Sequence, residues 1–408
     1  MDLSAYSLET LHQDTEFVLY RGRAVANPEP GRASVLVSVP TSAHPAPKRM
    51  RMLEHEWSLR AELDSAWALR PIALTHHQGR AALILEDQQC EPLERLIEKK
   101  PVNRGAADRS TEGALELSLF LRLAGGLAVA VGEMHRRGIV HKNIKPAHAL
   151  VNTATGQVWL PGFGIASRLP REPQTPEPLE TIAGTLAYIA PEQTGRMNRS
   201  IDGRSDLYAL GVTLYQLLTG SLPFTAVDPI EWVHCHVARQ PVPPSERVSD
   251  VPAPVSAIVM KLLAKGAEER YQTAAGLESD LRCCQAQFKS DRRIDAFALG
   301  ERDTPDRLLI PEKLYGRQRE VETLLASFNR VVNGGAPELV VVSGYAGIGK
   351  SSIVNELQPV LVPPRGLFAA GKFDQYERDI PYTTLAQAFQ RLSTSTVTAQ
   401  SPSNGCIR

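Results

Sequence analysis

A chain of 408 residues holds roughly two or three domains at about 150 residues each. Its hydrophobic fraction of 43% and charged fraction of 22% exclude a mostly disordered or fibrous protein. Its 45 basic against 45 acidic side chains exclude recruitment of nucleic acid or anionic membrane by overall charge, so partners must be recognised locally.

In chain order, residues 17–20 and 34–39 read as short strands around a Pro/Gly turn. Residues 47–63 have helical spacing, and 81–85 form another strand, giving a β-rich lobe over 1–90 with one helix. From 91 to about 288 helical periodicity dominates. Residues 115–137 read as a buried helix stopped by Gly138, because Glu116, Arg122 and Gly125-Gly126 argue against a membrane span. A second buried helix, 206–218, ends at Gly220. Residues 289–310 turn polar and read as a linker. Beyond it, 320–332 is helical, 338–343 a strand and 351 onward a helix. The Ser/Thr-rich end, 393–408, has the composition of a disordered tail. The start of the chain lacks a basic stretch followed by an apolar run, so no secretory signal is expected and the cytoplasm is the expected compartment. Five cysteines, Cys90, Cys235, Cys283, Cys284 and Cys406, form no CxxC pair, so neither a disulfide framework nor a zinc site is expected. In His234-Cys235-His236, consecutive helical side chains diverge by about 100° and do not converge on one ion.

Four short motifs follow one another in the larger lobe. They are His141-Lys142-Asn143-Ile144-Lys145-Pro146, Gly162-Phe163-Gly164, Ala190-Pro191-Glu192 and Ser205-Asp206-Leu207 with its apolar continuation. In order and spacing this set resembles the catalytic loop, D-F-G, A-P-E and following helix of protein kinases. The resemblance implies an α+β two-lobed protein-kinase-like fold of Ser/Thr type. It also implies roles for particular positions. Phosphoryl transfer uses a carboxylate to orient the substrate hydroxyl, oxygen ligands for magnesium and a strand lysine for the phosphates. Here Asn143 stands at the catalytic aspartate, His148 and Gly162 at the magnesium ligands, and Ser38 at the lysine, while Lys145 and Thr185 are retained. The scaffold positions are kept: Glu56 at the helix-C glutamate, Glu192 and Arg270 at the pair that ties down the activation segment, and Asp206 at the brace of the catalytic loop. Where a Gly-rich phosphate loop would join the first two strands, residues 11–16 contain no glycine, and a plain hairpin is expected. Adenine could still meet backbone groups near 85–88.

After the linker, Gly344-Tyr345-Ala346-Gly347-Ile348-Gly349-Lys350-Ser351 matches G-x-x-x-x-G-K-[ST] between an apolar stretch and a helical one. Backbone N–H groups around Gly344, Gly347 and Gly349, with Lys350, Ser351 and Ser352, would cradle the phosphates of ATP, and Ser351 would hold Mg2+. Leu314-Tyr315-Gly316-Arg317 resembles the entry of AAA-like signalling ATPases, so 311–392 reads as a partial α/β P-loop NTPase domain. No Walker B carboxylate follows and fewer than sixty residues remain, which suggests a truncated relative or a frame that departs near Ser393. The whole resembles the N-terminal part of large bacterial multidomain kinase–ATPase–sensor histidine kinases. Three functions stay open: a catalytically impaired regulatory module that contacts signalling proteins and binds ATP at the P-loop, a Ser/Thr kinase of low activity, and a nonfunctional remnant. No nucleic-acid partner and no membrane span are expected.

Overall fold

The computed structural model describes residues 3–25, 33–42, 44–98, 115–168, 184–195, 197, 199–305, 316–345 and 348–357, with isolated positions 369, 385, 388 and 389. Gly347 and the sequence-predicted tail at 393–408 lie outside the described residues, as does much of 358–392.

Strands β1 (Tyr6–Gln13), β2 (Phe17–Ala24), β3 (Ser34–Pro40), β4 (Pro71–His77) and β5 (Arg80–Glu86) make an antiparallel sheet in the order β1-β2-β3-β5-β4. Alternation sorts β3 cleanly. Val35, Val37 and Val39 pack on one face with Ala82 and Ile84, while Leu36 packs on the other with Leu83 and Leu85. Helix α1 (Pro47–Ser58), with proline in its first turn, adds Leu53 to this second face. The sequence reading missed β4 and gave β1 only as the unbounded strand leading into the expected hairpin at 11–16. Both are edge strands, and β1 carries polar residues such as Glu9 and Thr10 on a largely exposed ribbon, which weakens any apolar pattern.

The second lobe begins with β6 (Glu91–Pro92) and α2 (Leu93–Glu98) and is built around α3 (Leu117–Arg136). Helix α3 is long and apolar enough to cross a membrane, yet half of its apolar window is buried inside the protein. Phe120, Leu123, Leu127, Val131 and Met134 join the main core, which explains its hydropathy without a bilayer. Strand β7 (Leu150–Val151) pairs with β6 on one side and β8 (Val158–Trp159) on the other, in a small sheet that flanks the catalytic-loop segment. Helix α4 (Gly203–Thr219) starts three residues before the sequence reading placed it, because Asp202 caps it by accepting from Arg204 N at 2.9 Å. Helices α5 (Pro229–Val237), α6 (Pro244–Arg247), α7 (Ala253–Leu262) and α8 (Ala274–Asp291) complete the lobe. Within α5, His234 is exposed while His236 is buried, its ring nitrogens engaged by Tyr208 Oη and Leu186 O.

The polar stretch read as a linker is docked instead. Ile294 is buried, Phe297 and Leu299 pack on the second-lobe core, and Gly300 N donates to Asp280. Asp303 accepts from Gln272 N, Thr273 N and Thr273 Oγ1 at 2.6–2.9 Å, covering the start of α8. Three apolar anchors scattered among charges were too sparse for the sequence to mark, but one carboxylate at a helix start is enough to fix the path.

Helix α9 (Gln318–Gly334) and the short α10 (Lys350–Asn355) follow. The expected strand at 338–343 does not form: Leu339 is 91% and Val341 78% exposed, and no described residue supplies a ladder partner. A strand without a neighbour has no bonds to hold it, however apolar its sequence.

Candidate functional site

The floor of the interlobe cleft is the loop 139–149. Fully buried Asp206, in the first turn of α4, accepts from His141 N and Lys142 N at 2.8 Å each and meets His135 Nε2 at 3.0 Å. These bonds hold the loop in a shape that gives Lys142 a φ of 65°. Below it, His141 Nε2 lies 3.0 Å from Pro161 O, and its ring stands edge-on to Phe163.

Asn143 is buried, and its Oδ1 accepts from both Thr185 N (3.1 Å) and Thr185 Oγ1 (3.0 Å). A primary amide accepts and donates hydrogen bonds but has no basicity near neutral pH. His148 donates from Nδ1 to Asn143 O at 2.9 Å. Burial, helped by the Lys145 charge, pushes this imidazole well below its usual range, so it is neutral. Its ring packs on Gly162, where a Cβ would lie 3.1 Å from Cε1 and Nδ1. Gly162 also has a φ of 85°, a region glycine enters without strain. The histidine ring and the missing side chain are therefore one packing solution.

On the upper side, Ser38 of β3 and Glu56 of α1 line the same cleft. Glu56 is 5% exposed, and its Oε1 accepts from Gly162 N at 3.0 Å. Burial raises its carboxyl to about 7, and the N–H groups of Gly162 and Phe163 only partly offset that. No described cationic side chain pairs with it. Phe163 is fully buried, edge-on to Trp67 with ring centroids 6.0 Å apart, so the Gly162-Phe163-Gly164 segment is held against α1 by packing. The cleft is partly open to solvent, with a cavity volume of about 70 Å³.

The hairpin between β1 and β2, expected from the sequence at 11–16, closes one side of this cleft, and its ionic contacts are what the sequence did not show. Asp14 Oδ1 accepts from Glu16 N and Phe17 N at 2.8 Å, while Oδ2 meets Lys145 Nζ at 3.1 Å. His12 Nδ1 lies 2.7 Å from Glu94, and Arg95 donates to Thr10 O at 2.7 Å. The carboxylate of Asp14, 3.9 Å from Nε2, and the close contact with Glu94 raise His12 to about 9, over the opposing effect of burial. Burial would raise Asp14, but His12 and the Lys145 charge outweigh it and hold the carboxyl well below its usual range. An Asx turn at Asp14 was legible in the sequence, but its partner Lys145 is 131 residues away.

The donors at the cleft floor do not fit magnesium. That ion prefers hard oxygen ligands in octahedral array. Here the Asn143 oxygen already accepts two hydrogen bonds, His148 is a neutral imidazole with Nδ1 engaged, and Gly162 offers no side chain.

Scaffold residues are fully engaged. Glu192 and Arg270, 2% and 1% exposed, form a bidentate pair with distances of 2.7 and 2.9 Å. Arg270 also donates to the carbonyls of Ala264, Arg204 and Lys265, and Ser205 Oγ donates to Glu192. Burial alone would raise the Glu192 carboxyl, but the Arg270 charge and hydrogen bonds carry it below its ordinary value.

At the second motif, Gly349 has a φ of 93° and caps α10, bringing Lys350 and the exposed Ser351 to the helix start. Lys350 Nζ donates to Gly344 O at 2.9 Å and Tyr345 O at 2.8 Å, so the lysine folds over its own loop. This arrangement fits a phosphate group. Among the described residues, Ser351 would be the protein ligand to magnesium there, the ion would polarise the phosphate oxygens, and no carboxylate joins it.

Comparison with known proteins settles the family. The protein kinase domain model matches residues 40–281, more than half of the chain. The chain belongs to the protein kinase family. An AAA ATPase domain model matches residues 313–404, so a kinase domain is followed by an AAA ATPase region. A hybrid signal transduction histidine kinase G of Dictyostelium discoideum is 37% identical over 228 residues, 51% of this chain and 7% of that protein. Serine/threonine-protein kinase PknB of Mycobacterium tuberculosis is 37% identical over 171 residues, 42% of this chain and 27% of that protein. A probable serine/threonine-protein kinase of Corynebacterium efficiens is 35% identical over 189 residues, 45% of this chain and 28% of that protein. The chain thus spans a minor part of each relative's length. The two matched domains imply ATP binding; the phosphate-loop pattern is complete in the sequence of the second, whereas the first has no glycine in 11–16 and carries Ser38 on its third strand.

Proposed function

We propose that this chain is a cytoplasmic signalling protein whose kinase domain acts by protein contacts rather than phosphoryl transfer, with its ATP affinity centred on Lys350 and Ser351. The observation that carries the reading is the cleft floor. The Asn143 side-chain oxygen already accepts two hydrogen bonds, His148 is neutral and hydrogen-bonded, and Gly162 is packed under the His148 ring. Loss of a general base alone typically removes about 10² to 10⁴ in rate. Loss of metal ligands adds to it without being additive. The partners are other signalling proteins, since the intact Glu192–Arg270 and Asp206 frame preserves a stable surface without a reaction centre.

The test is incorporation of labelled γ-phosphate into the full chain and a generic Ser/Thr substrate, with magnesium and with manganese. Background counts are expected. Transfer that disappears in Asn143→Ala or Lys145→Ala would overturn the reading and favour a second one, an active Ser/Thr kinase. That alternative draws on the retained Lys145 and Thr185 and on the similarity to Ser/Thr kinases.

A further inference from the structure

Glu56 is a carboxylate at the back of an open cleft, 5% exposed, answered only by backbone N–H groups. The other titratable groups lining the cleft are His12, Asp14 and Glu16 from the hairpin, and Lys145 and His148 from the floor. Lys145 is committed to Asp14, His12 to Glu94 and Asp14, and His148 to Asn143 O. None of these cations is paired with Glu56. Ser38 lines the same space with a short, uncharged side chain, and Leu19, Leu53 and Leu85 supply apolar wall. A narrow apolar space leading to a buried, unanswered carboxylate is complementary to a group with an aliphatic stem and a cationic head.

We propose that the interlobe cleft binds an aliphatic primary ammonium compound, its ammonium donating to Glu56 and its carbon chain lying past Ser38 along Leu53 and Leu85. The cleft is then a receptor for a small organic cation, with no bond made or broken. Solvated amines arrive charged, and Glu56 supplies the counter-charge that the fold itself leaves out. The inference goes beyond the signalling reading and rests on it only in that magnesium-bound nucleotide does not fill the cleft. Phosphate transfer sensitive to Asn143→Ala would sink that reading, whereas the binding measured below involves no nucleotide.

The probe is n-pentylamine, titrated into the full chain by calorimetry and compared with 1-pentanol, which has the same stem and no charge. Binding of the amine and none of the alcohol is expected. Glu56 titrates near 7 while the amine stays protonated, so affinity should rise about tenfold from pH 6 to pH 8. His12, raised to about 9, and neutral His148 keep their states over most of that interval. Glu56→Gln retains an acceptor for Gly162 N and removes the buried charge, so it should fold and weaken amine binding by roughly tenfold or more. Ser38→Lys should abolish binding by placing a cation of the chain's own in the cleft, and it serves where Glu56→Gln does not fold. Equal binding of pentanol, undiminished binding by either variant, or no binding of the amine at either pH would overturn the proposal.

Discussion

The kinase cleft and the phosphate loop are opposites. In the cleft the scaffold is complete: Asp206 and the Glu192–Arg270 pair have every oxygen and guanidinium edge engaged, above a floor of Asn143, His148 and Gly162. At Lys350 the motif is intact and the surrounding scaffold is thin. Lys350 folds onto its own loop carbonyls, and the apolar run before it stands 91% exposed at Leu339. The contrast teaches that motif integrity and structural support are separate properties. Ligand recognition follows the first, stability the second.

The largest effect expected from that contrast is on stability. Glu192→Ala leaves Arg270 charged, buried and half-answered, which typically costs about 3–5 kcal/mol. For a kinase-sized domain that lowers the melting temperature by roughly 6–20 °C. Calorimetry on the full chain measures it. A shift of a degree or so would mean that the pair contributes little and that the scaffold half of the comparison is wrong.

A smaller effect tests the other half. Lys350→Ala removes the cation that would meet the outer phosphates, and a charge-assisted hydrogen bond is worth about 1.5–3 kcal/mol, so affinity for a fluorescent ATP analogue should fall roughly 10–100-fold. Melting of the kinase domain should not move. Undiminished binding would relocate the nucleotide to the interlobe cleft and erase the contrast.

The smallest effect concerns the hairpin that bridges the lobes. His12 is raised from 6.5 to about 9, so its contribution is full below 6.5 and is lost as pH rises through 9. Asp14 is held down, so its contribution is present at neutral pH and lost as pH falls into the acid range. Both groups are partly solvated, and the expected loss between pH 7 and 10 is on the order of 1 kcal/mol or less. Denaturant midpoints across that range should decline for the native chain and flatten in His12→Ala. Identical profiles would show that the hairpin contact with Glu94 and Asp14 does not hold in solution.

Much of the fold was legible because its signals are local. The order of the four motifs, the apolar spacing of α3 and α4, and the glycines that follow them are written within short windows, and alternation in β3 requires no partner to be recognised. Edge strand β4 and the bounds of edge strand β1 were not legible, since half-exposed ribbons carry little apolar pattern. That Ser38, Asn143, His148 and Gly162 stand where the kinase resemblance expects charge-handling residues was likewise readable from motif order alone.

What filled the space they left was decided only in three dimensions. The His148 ring takes the room above Gly162, Thr185 saturates Asn143, Asp14 reaches Lys145 across 131 residues of chain, and Asp303 folds an apparent linker onto α8. The sequence by itself determined the kinase-family membership and the phosphate-loop pattern at 344–351. It could not determine that Glu56 stays buried without a counter-cation, or that residues 338–343 remain unpaired. The physical reason is common to both. A carboxylate's charge state depends on the low-dielectric neighbours that folding gathers around it, and a strand exists only through the hydrogen bonds of another chain segment, so neither is a property of its own residues.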